Sequence, residues 1–270
     1  MIRDTDIFLQ GPLFDNTYEV ALSYVNLEFV QNVIISTWLS EADKIKSFPE
    51  HKNIKWVLSP YPEENNPLWA KMNFQLASSM AGALQVSSPK AIKMRTDQHI
   101  YDDSMNMMNR FFNKFSGDPE LEYENGLGPI APIFVIGMMG GSFPYHPQDH
   151  VFWGYREDII DLFNIPFIEN PNVLDPPQYT TVHLREPIYL GAHYCSRFNS
   201  TVKTHLDNYE DYLLDISPKR SESMALSSEI KDKVFKVFPR INMYWTKYNS
   251  GYWYHEYESQ GEYYYDEPWE

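Results

Sequence analysis

Asn32-Val33-Ile34-Ile35-Ser36-Thr37-Trp38 opens on an unbroken apolar run and closes on small polar residues. Such a run predicts a strand buried on both faces, as parallel sheets require. Upstream, Ile7-Phe8-Leu9 closed by Gln10-Gly11-Pro12 reads as another strand ending in a loop. Between the two, Val20, Tyr24, Leu27 and Val30 recur at helical spacing within Asn16 to Gln31. Downstream come a third strand, Ile54-Lys55-Trp56-Val57-Leu58, the Pro-rich loop Pro60 to Pro67, a long helix from Leu68 to Val86, and a fourth strand, Ala91-Ile92-Lys93-Met94-Arg95-Thr96-Asp97. Strand alternating with amphipathic helix predicts an α/β fold, a mostly parallel central sheet flanked by helices. In such sheets ligands bind beyond the carboxyl ends of the strands. Gln10, Ser36-Thr37-Trp38 and Arg95-Thr96-Asp97 end three strands and are expected to face one crevice.

The rest of the chain is less regular. Met105 to Phe115 reads as helix and Ile130 to Met139 as a buried strand. Asp149 to Tyr155 reads as a strand leading into a helix from Arg156 to Asn164, and Thr181 to Phe198 and Tyr209 to Leu214 add further helix. Beyond Tyr244 the sequence turns aromatic and acidic, with Glu256, Glu258, Glu262, Asp266, Glu267 and Glu270 against Lys247 alone, and Tyr263-Tyr264-Tyr265 at its centre. These aromatics are expected to pack on the domain or on a second subunit, making a homo-oligomer.

With 37 acidic against 22 basic residues in 270, the formal charge is -15. That balance argues against a phosphate-tracking nucleic-acid binder and a polybasic membrane-surface protein. Cys195 is the only cysteine, so no internal disulfide framework exists and a cytoplasmic setting is expected, the bacterial cytosol or the host cytoplasm for a viral chain. The acidic start, Met1 to Asp6, does not read as a secretory signal. The longest largely apolar stretch, Pro129 to Gly141, is far shorter than the ~20 residues of a membrane span.

No G-x-G-x-x-G follows the first strand, and no G-x-x-x-x-G-K-[ST], C-x-x-C, H-E-x-x-H or G-x-S-x-G occurs. Dinucleotide, P-loop, zinc, redox and serine-hydrolase readings therefore lack their motifs. The glycines Gly137, Gly140 and Gly141 follow a late strand, the wrong place for a phosphate cradle.

Five blocks in order carry a family resemblance: Ile34 to Trp38; Asn73-Phe74-Gln75 with Gly82; Lys93-Met94-Arg95-Thr96-Asp97; Asp149-His150-Val151-Phe152-Trp153-Gly154 with Glu157-Asp158; and Arg185-Glu186. Together with Gln10-Gly11-Pro12 they resemble the WavE family of lipopolysaccharide and capsule glycosyltransferases, over roughly Asp6 to Arg220. The resemblance implies a single GT-A (Rossmann-like) domain, a nucleotide-sugar donor (a UDP-sugar first among them) and an oligosaccharide or glycan acceptor. It divides the chain into a nucleotide-sugar half, residues 1–101, an acceptor half, 102–220, and a C-terminal extension, 221–270. It also implies a divalent cation, Mn2+ or Mg2+, held by an Asp at the end of the fourth strand, where Asp97 stands.

A sugar nucleotide's diphosphate departs with negative charge, which a hard cation on carboxylate oxygens stabilises. Arg95 shares the parity of Asp97 and points to the same side of the strand, so Lys93 and Arg95 are placed to touch the phosphates. Gln10, Ser36, Thr37, Trp38, Asn73 and Gln75 complete the expected donor site. Trp38 either stacks on the base or fills the core; Asn73 and Gln75, two apart on a helix, cannot both face one ligand squarely. Glu41 is a further candidate for the nucleoside. For an inverting transfer the base is expected to be Asp158 first, in an acidic x-E-D pattern at a helix start, then Asp149, near Phe152 and Trp153 that would line a sugar site, or Glu186. An acid in a helix's first turn also favours the dipole with no catalytic role. His146, His150, His193 and His255 each suit a metal shell. Asp102-Asp103 either adds a ligand or caps a helix, and the literal D-x-D, Asp4-Thr5-Asp6, reads as a solvated N-terminus ahead of the first strand. Two other functions remain open on this reading, a sugar nucleotidyltransferase and a non-catalytic glycan-binding protein.

Overall fold

The computed structural model describes residues 3–62, 67–116, 129, 131–136, 144–147, 149–167, 185–208, 212–213, 219–238, 240–245 and 250–255. The Gly137, Gly140 and Gly141 cluster, the tail from 256 onward and the side chains of Arg185, Glu186 and His255 lie outside what is described.

The apolar runs become β1 (Thr5–Gln10), β2 (Val30–Trp38), β3 (Ile54–Ser59) and β4 (Lys90–Arg95), separated by α1 (Thr17–Val25), a short α2 (Ala42–Ile45) and α3 (Pro67–Leu84). These four strands are parallel, in the order β3-β2-β1-β4. A three-residue strand β5 (Gln98–Ile100) and helix α4 (Asp102–Phe115) follow, then β6 (Ile133–Val135), β7 (Phe152–Tyr155), α5 (Arg156–Phe163), α6 (Arg185–Ser196), α7 (Ser200–Asp207), α8 (Arg220–Val234), β8 (Phe235–Val237), β9 (Arg240–Trp245) and β10 (Ser250–His255). β7, β6 and β8 extend the sheet beyond β4 to seven strands. β7 runs antiparallel to both β4 and β6, while β6 and β8 are parallel. This is the α/β class the sequence predicts, with the single reversal at β7.

Alternation along the strands splits the core into two layers. Ile7, Leu9, Val33, Ile35, Ile92, Met94 and Trp153 pack beneath α1 and α4. Phe8, Ile34, Ala91, Phe152, Ile133 and Val135 pack with α3, α5, α6, α7 and α8. α3 approaches the sheet closely at Gly82, where a Cβ would stand 2.8 Å from the Phe8 ring and 3.1 Å from the Ser36 Cβ.

Two expectations are corrected here. Asp4-Thr5-Asp6 is not a solvated N-terminus, because Thr5 and Asp6 lie inside β1 and are fully buried. Asp6 accepts hydrogen bonds from the N and Nδ2 of Asn32, the N and Oγ of Ser87 and the N and Oγ of Ser88, joining β1, β2 and the α3–β4 turn. Asp4 pairs with Lys90 at 2.8 Å. Nor do residues 221–270 begin a separate extension: β8 is a strand of the main sheet, and β9 pairs with β5 and β10 in a second, antiparallel sheet.

Candidate active site at the carboxyl edge of the sheet

The sheet reverses its strand order between β1 and β4, and the polar strand ends meet there. Gln10 stands in register with Ser36 on one side and Arg95 on the other, all three on the α3 face. The Gln10 Oε1 accepts from Ser78 Oγ at 2.8 Å, and the Ser78 carbonyl accepts from Ser36 Oγ at 2.7 Å. Gly11 follows with φ +124, a conformation that favours glycine; a Cβ there would also stand 2.9 Å from Thr96 Oγ1. Thr96 fixes the end of β4 from the other side, donating its N to Gln10 O at 3.1 Å and its Oγ1 to Pro12 O at 2.6 Å.

The ionised groups lie on β4 and at the start of β7. Arg95 donates Nε to Asp97 Oδ1 and Nη2 to Asp97 Oδ2, each at 2.8 Å, a two-pronged pair. Asp97 is 2% exposed, whereas the Arg95 side chain keeps 29% of its surface. Because β7 is antiparallel, its first residue Phe152 sits beside Lys93, which brings Asp149 and His150 to this same edge. Lys93 Nζ donates to the Asp149 carbonyl and lies 5.5 Å from the centre of the Phe152 ring. Gln98 Nε2 meets His150 Nδ1 at 3.1 Å.

These neighbours set the charges. Burial raises the Asp149 carboxyl, but His150, Lys93, Arg95 and His146 together pull it below its ordinary value, to about 2. Burial lowers the Lys93 amine to about 8 and the His150 imidazole to about 4; Asp149 opposes both shifts and Arg95 adds to them. At neutral pH Lys93 and Asp149 are charged and His150 is neutral, so its unprotonated Nδ1 can accept from Gln98.

Lys93 is wholly buried, one register layer below Arg95, and its amine holds the Asp149 loop. Trp38 is 3% exposed and stacks on Tyr61 at 4.6 Å, edge-on to Phe74 at 5.5 Å, so the aromatic surface open to a ligand is Tyr61, 47% exposed. Phe152 and Trp153 do not line a sugar site. Both are wholly buried, Trp153 stacked between Phe29 at 5.6 Å and Phe112 at 5.4 Å. Asp158 is carried away by the direction of β7: the end of that strand lies beside Lys90, at the opposite edge, where Asp158 Oδ2 accepts from Ala131 N at 3.3 Å. Asn73 and Gln75 are both buried in the first half of α3, Thr37 is buried at the end of β2, and Glu41 pairs with Lys44 at 3.1 Å. Asp102 and Asp103 are exposed in the first turn of α4. His193 lies on α6 against Tyr189. Glu186 stands at the start of α6.

Ser78, Gln98 and Tyr61 were not foreseen. The only sequence signals for them are a Ser-Ser pair inside an apolar helix, a polar residue directly after Asp97, and an aromatic between two prolines. The loop that precedes Asp149 is braced from the helical layer. Tyr145 has φ 52, rare for a bulky residue, and donates its N to Ser227 Oγ at 2.6 Å while its hydroxyl meets His205 Nδ1 at 3.0 Å. His146, next in sequence, is buried near Asp149.

Among the described residues no three His, Cys, Asp or Glu side chains gather as a metal cage. Magnesium and manganese need only one or two carboxylates when substrate phosphates complete the shell. Asp97 therefore fits an ion shared with a bound diphosphate, not one held by protein groups alone.

An open, mostly parallel sheet with polar strand ends meeting at its switch point defines the doubly wound class of α/β domains. The chain belongs to the WavE lipopolysaccharide synthesis family, whose sequence profile matches residues 29–236. No curated protein matches it in sequence. Among solved structures it is similar to the rv0371c homolog of Mycobacterium sp. strain JC1 (13% identity, TM-score 0.40, covering 63% of this chain and 78% of that one). It is also similar to the 4-diphosphocytidyl-2C-methyl-D-erythritol synthase of Anaerococcus prevotii (8%, 0.38, 83% and 96%) and to S. aureus TarS (11%, 0.38, 70% and 33%). Among the described residues no helix is long and apolar enough to cross a membrane.

Proposed function

We propose that the protein is a glycosyltransferase that moves a sugar from a nucleotide donor, a UDP-sugar first among the candidates, to a glycan acceptor in surface-polysaccharide synthesis. The observation that carries this reading is the gathering of Arg95, Asp97 and Asp149 at the switch point of a sheet belonging to a lipopolysaccharide-synthesis family. Tyr61, stacked on Trp38 at the end of β2, presents an exposed face that suits a nucleobase. A divalent ion, Mn2+ or Mg2+, held by Asp97 and the donor phosphates, supplies charge that stabilises the departing diphosphate. In an inverting transfer Asp149 is the base. It accepts the acceptor hydroxyl proton as the oxygen bonds to the anomeric carbon, and the electrons of the breaking C–O bond leave on the diphosphate, beside Arg95. Alone Asp149 is a weak base, but a diphosphate that neutralises Arg95 raises its proton affinity where it is needed.

A thermal-shift screen of UDP-, GDP-, CMP- and dTDP-sugars with and without Mn2+ tests the reading. One nucleotide class should raise Tm, and Asp97→Ala should abolish the increment. Stabilisation by glycans with none by any nucleotide would replace the proposal with a glycan-binding protein.

A further inference from the structure

We propose that Arg95 is an exchangeable latch on Asp97: it holds the carboxylate closed until a nucleotide diphosphate draws the guanidinium away and a divalent cation takes its place. The inference rests on the nucleotide-donor reading above and goes beyond it by predicting how the two ligands depend on one another.

The geometry sets which partner moves. Asp97 is interior at 2% exposure, while the Arg95 side chain stands at the mouth at 29%. The backbone beneath them is fixed, since Thr96 N and Oγ1 are bonded to Gln10 O and Pro12 O, and Arg95 itself is in strand register with Gln10. Of the two, the arginine side chain, long and flexible, is the one that reaches solvent. Its fork meets Asp97 through Nε and Nη2, and the same planar fork matches a phosphate.

Charge then couples the ligands. Lys93 and Arg95 balance Asp97 and Asp149, so the ground-state cluster is neutral. A cation arriving alone must break a two-pronged, largely buried pair. A diphosphate arriving alone meets an arginine already engaged and adds negative charge beside two carboxylates. Arriving together they trade partners, carboxylate to metal and guanidinium to phosphate, and most of the added charge cancels. Each ligand thus favours the other by the same factor.

Isothermal titration of metal-free protein with MnCl2, with UDP and with each in the presence of the other tests the latch, using wild type, Arg95→Met, Arg95→Lys and Asp97→Asn. In wild type each ligand should raise the affinity of the other roughly tenfold or more. Arg95→Met should bind Mn2+ alone more tightly than wild type and lose the coupling. Arg95→Lys, which keeps the charge and a single contact, should fall between and guards against a variant that fails to fold. Asp97→Asn should lose Mn2+ binding and the coupling together. Mn2+ alone binding wild type as tightly as Arg95→Met, or UDP binding wild type equally with and without Mn2+, would overturn the latch while leaving the nucleotide site intact. Absence of UDP binding under every condition would overturn the donor reading itself.

Discussion

Gly191→Ala should loosen the turn that leads into the candidate site. The Cβ it adds would lie 1.8 Å from the Tyr145 carbonyl oxygen, 2.7 Å from Pro147 Cδ and 3.0 Å from the Tyr145 carbonyl carbon. Ordinary contact begins at 3.4 Å, so the carbonyl must retreat by 3.4 − 1.8 = 1.6 Å. Tyr145 has no slack to give: its N is tied to Ser227, its hydroxyl to His205, and its backbone already sits at φ 52. Overpacking of this kind costs about 1–3 kcal/mol. Losing the two hydrogen bonds adds about 1 kcal/mol each. Alanine's better helix propensity returns about 1 kcal/mol. The net is a destabilisation of about 3 kcal/mol, a fall in Tm of roughly 6–10 °C for a chain of this size. Thermal unfolding followed by circular dichroism measures it, and UDP titration below the transition reads whether displacement reaches Asp149. Tyr145→Phe, which deletes only the hydroxyl bond, should cost about 1 kcal/mol. An unchanged Tm in Gly191→Ala would refute the claimed seating of Tyr145 on α6.

Acid should weaken the fold through His150. The His150 pKa is lowered by burial to about 4, below its unfolded value of 6.5, so the unfolded chain takes up the proton first. Stability is full above pH 6.5 and is lost as pH falls towards 4, by about 3 kcal/mol from this residue, with His193 adding loss in the same window. Urea unfolding at both ends of that range should show a smaller loss in His150→Gln; an equal loss would remove His150 as the cause. Asp6→Ala strips the acceptor from Asn32, Ser87 and Ser88 and should cost roughly 3–5 kcal/mol. Because Asp6 lies at the edge opposite the crevice, UDP affinity of the folded protein should stay at the wild-type value, and a large change would contradict that placement.

The first half of the fold was readable because strands buried on both faces leave apolar runs, and β1, β2 and β4 are of that kind, while β3 at the sheet's edge is half exposed. Their polar ends could be placed at one edge because parallel strands share a direction, which is why Gln10, Ser36 and Arg95 do meet. The shared parity of Arg95 and Asp97 put both on one side of the strand, but parity carries neither partner nor depth: Arg95 is bonded to Asp97 itself, and Lys93 lies one layer down. β7 is where legibility ended. Phe-Trp-Gly-Tyr reads alike in either direction, and direction alone decides which flank meets the crevice, Asp149 and His150 or Glu157 and Asp158. Tyr145 left no trace either, since its left-handed backbone is imposed by α6, α7 and α8, remote in sequence.

The pairing of β9 with β5 has a consequence for biosynthesis. The residue after Asp97 enters a strand whose partner, Arg240–Trp245, is translated long afterwards, and β8, the outer strand of the main sheet, is also made late. β1 to β4 are made first, but the β5 backbone that follows the Arg95–Asp97 pair waits for that distant segment. A half-made chain on the ribosome would therefore carry this edge of the sheet in an unfinished form until β9 has been made.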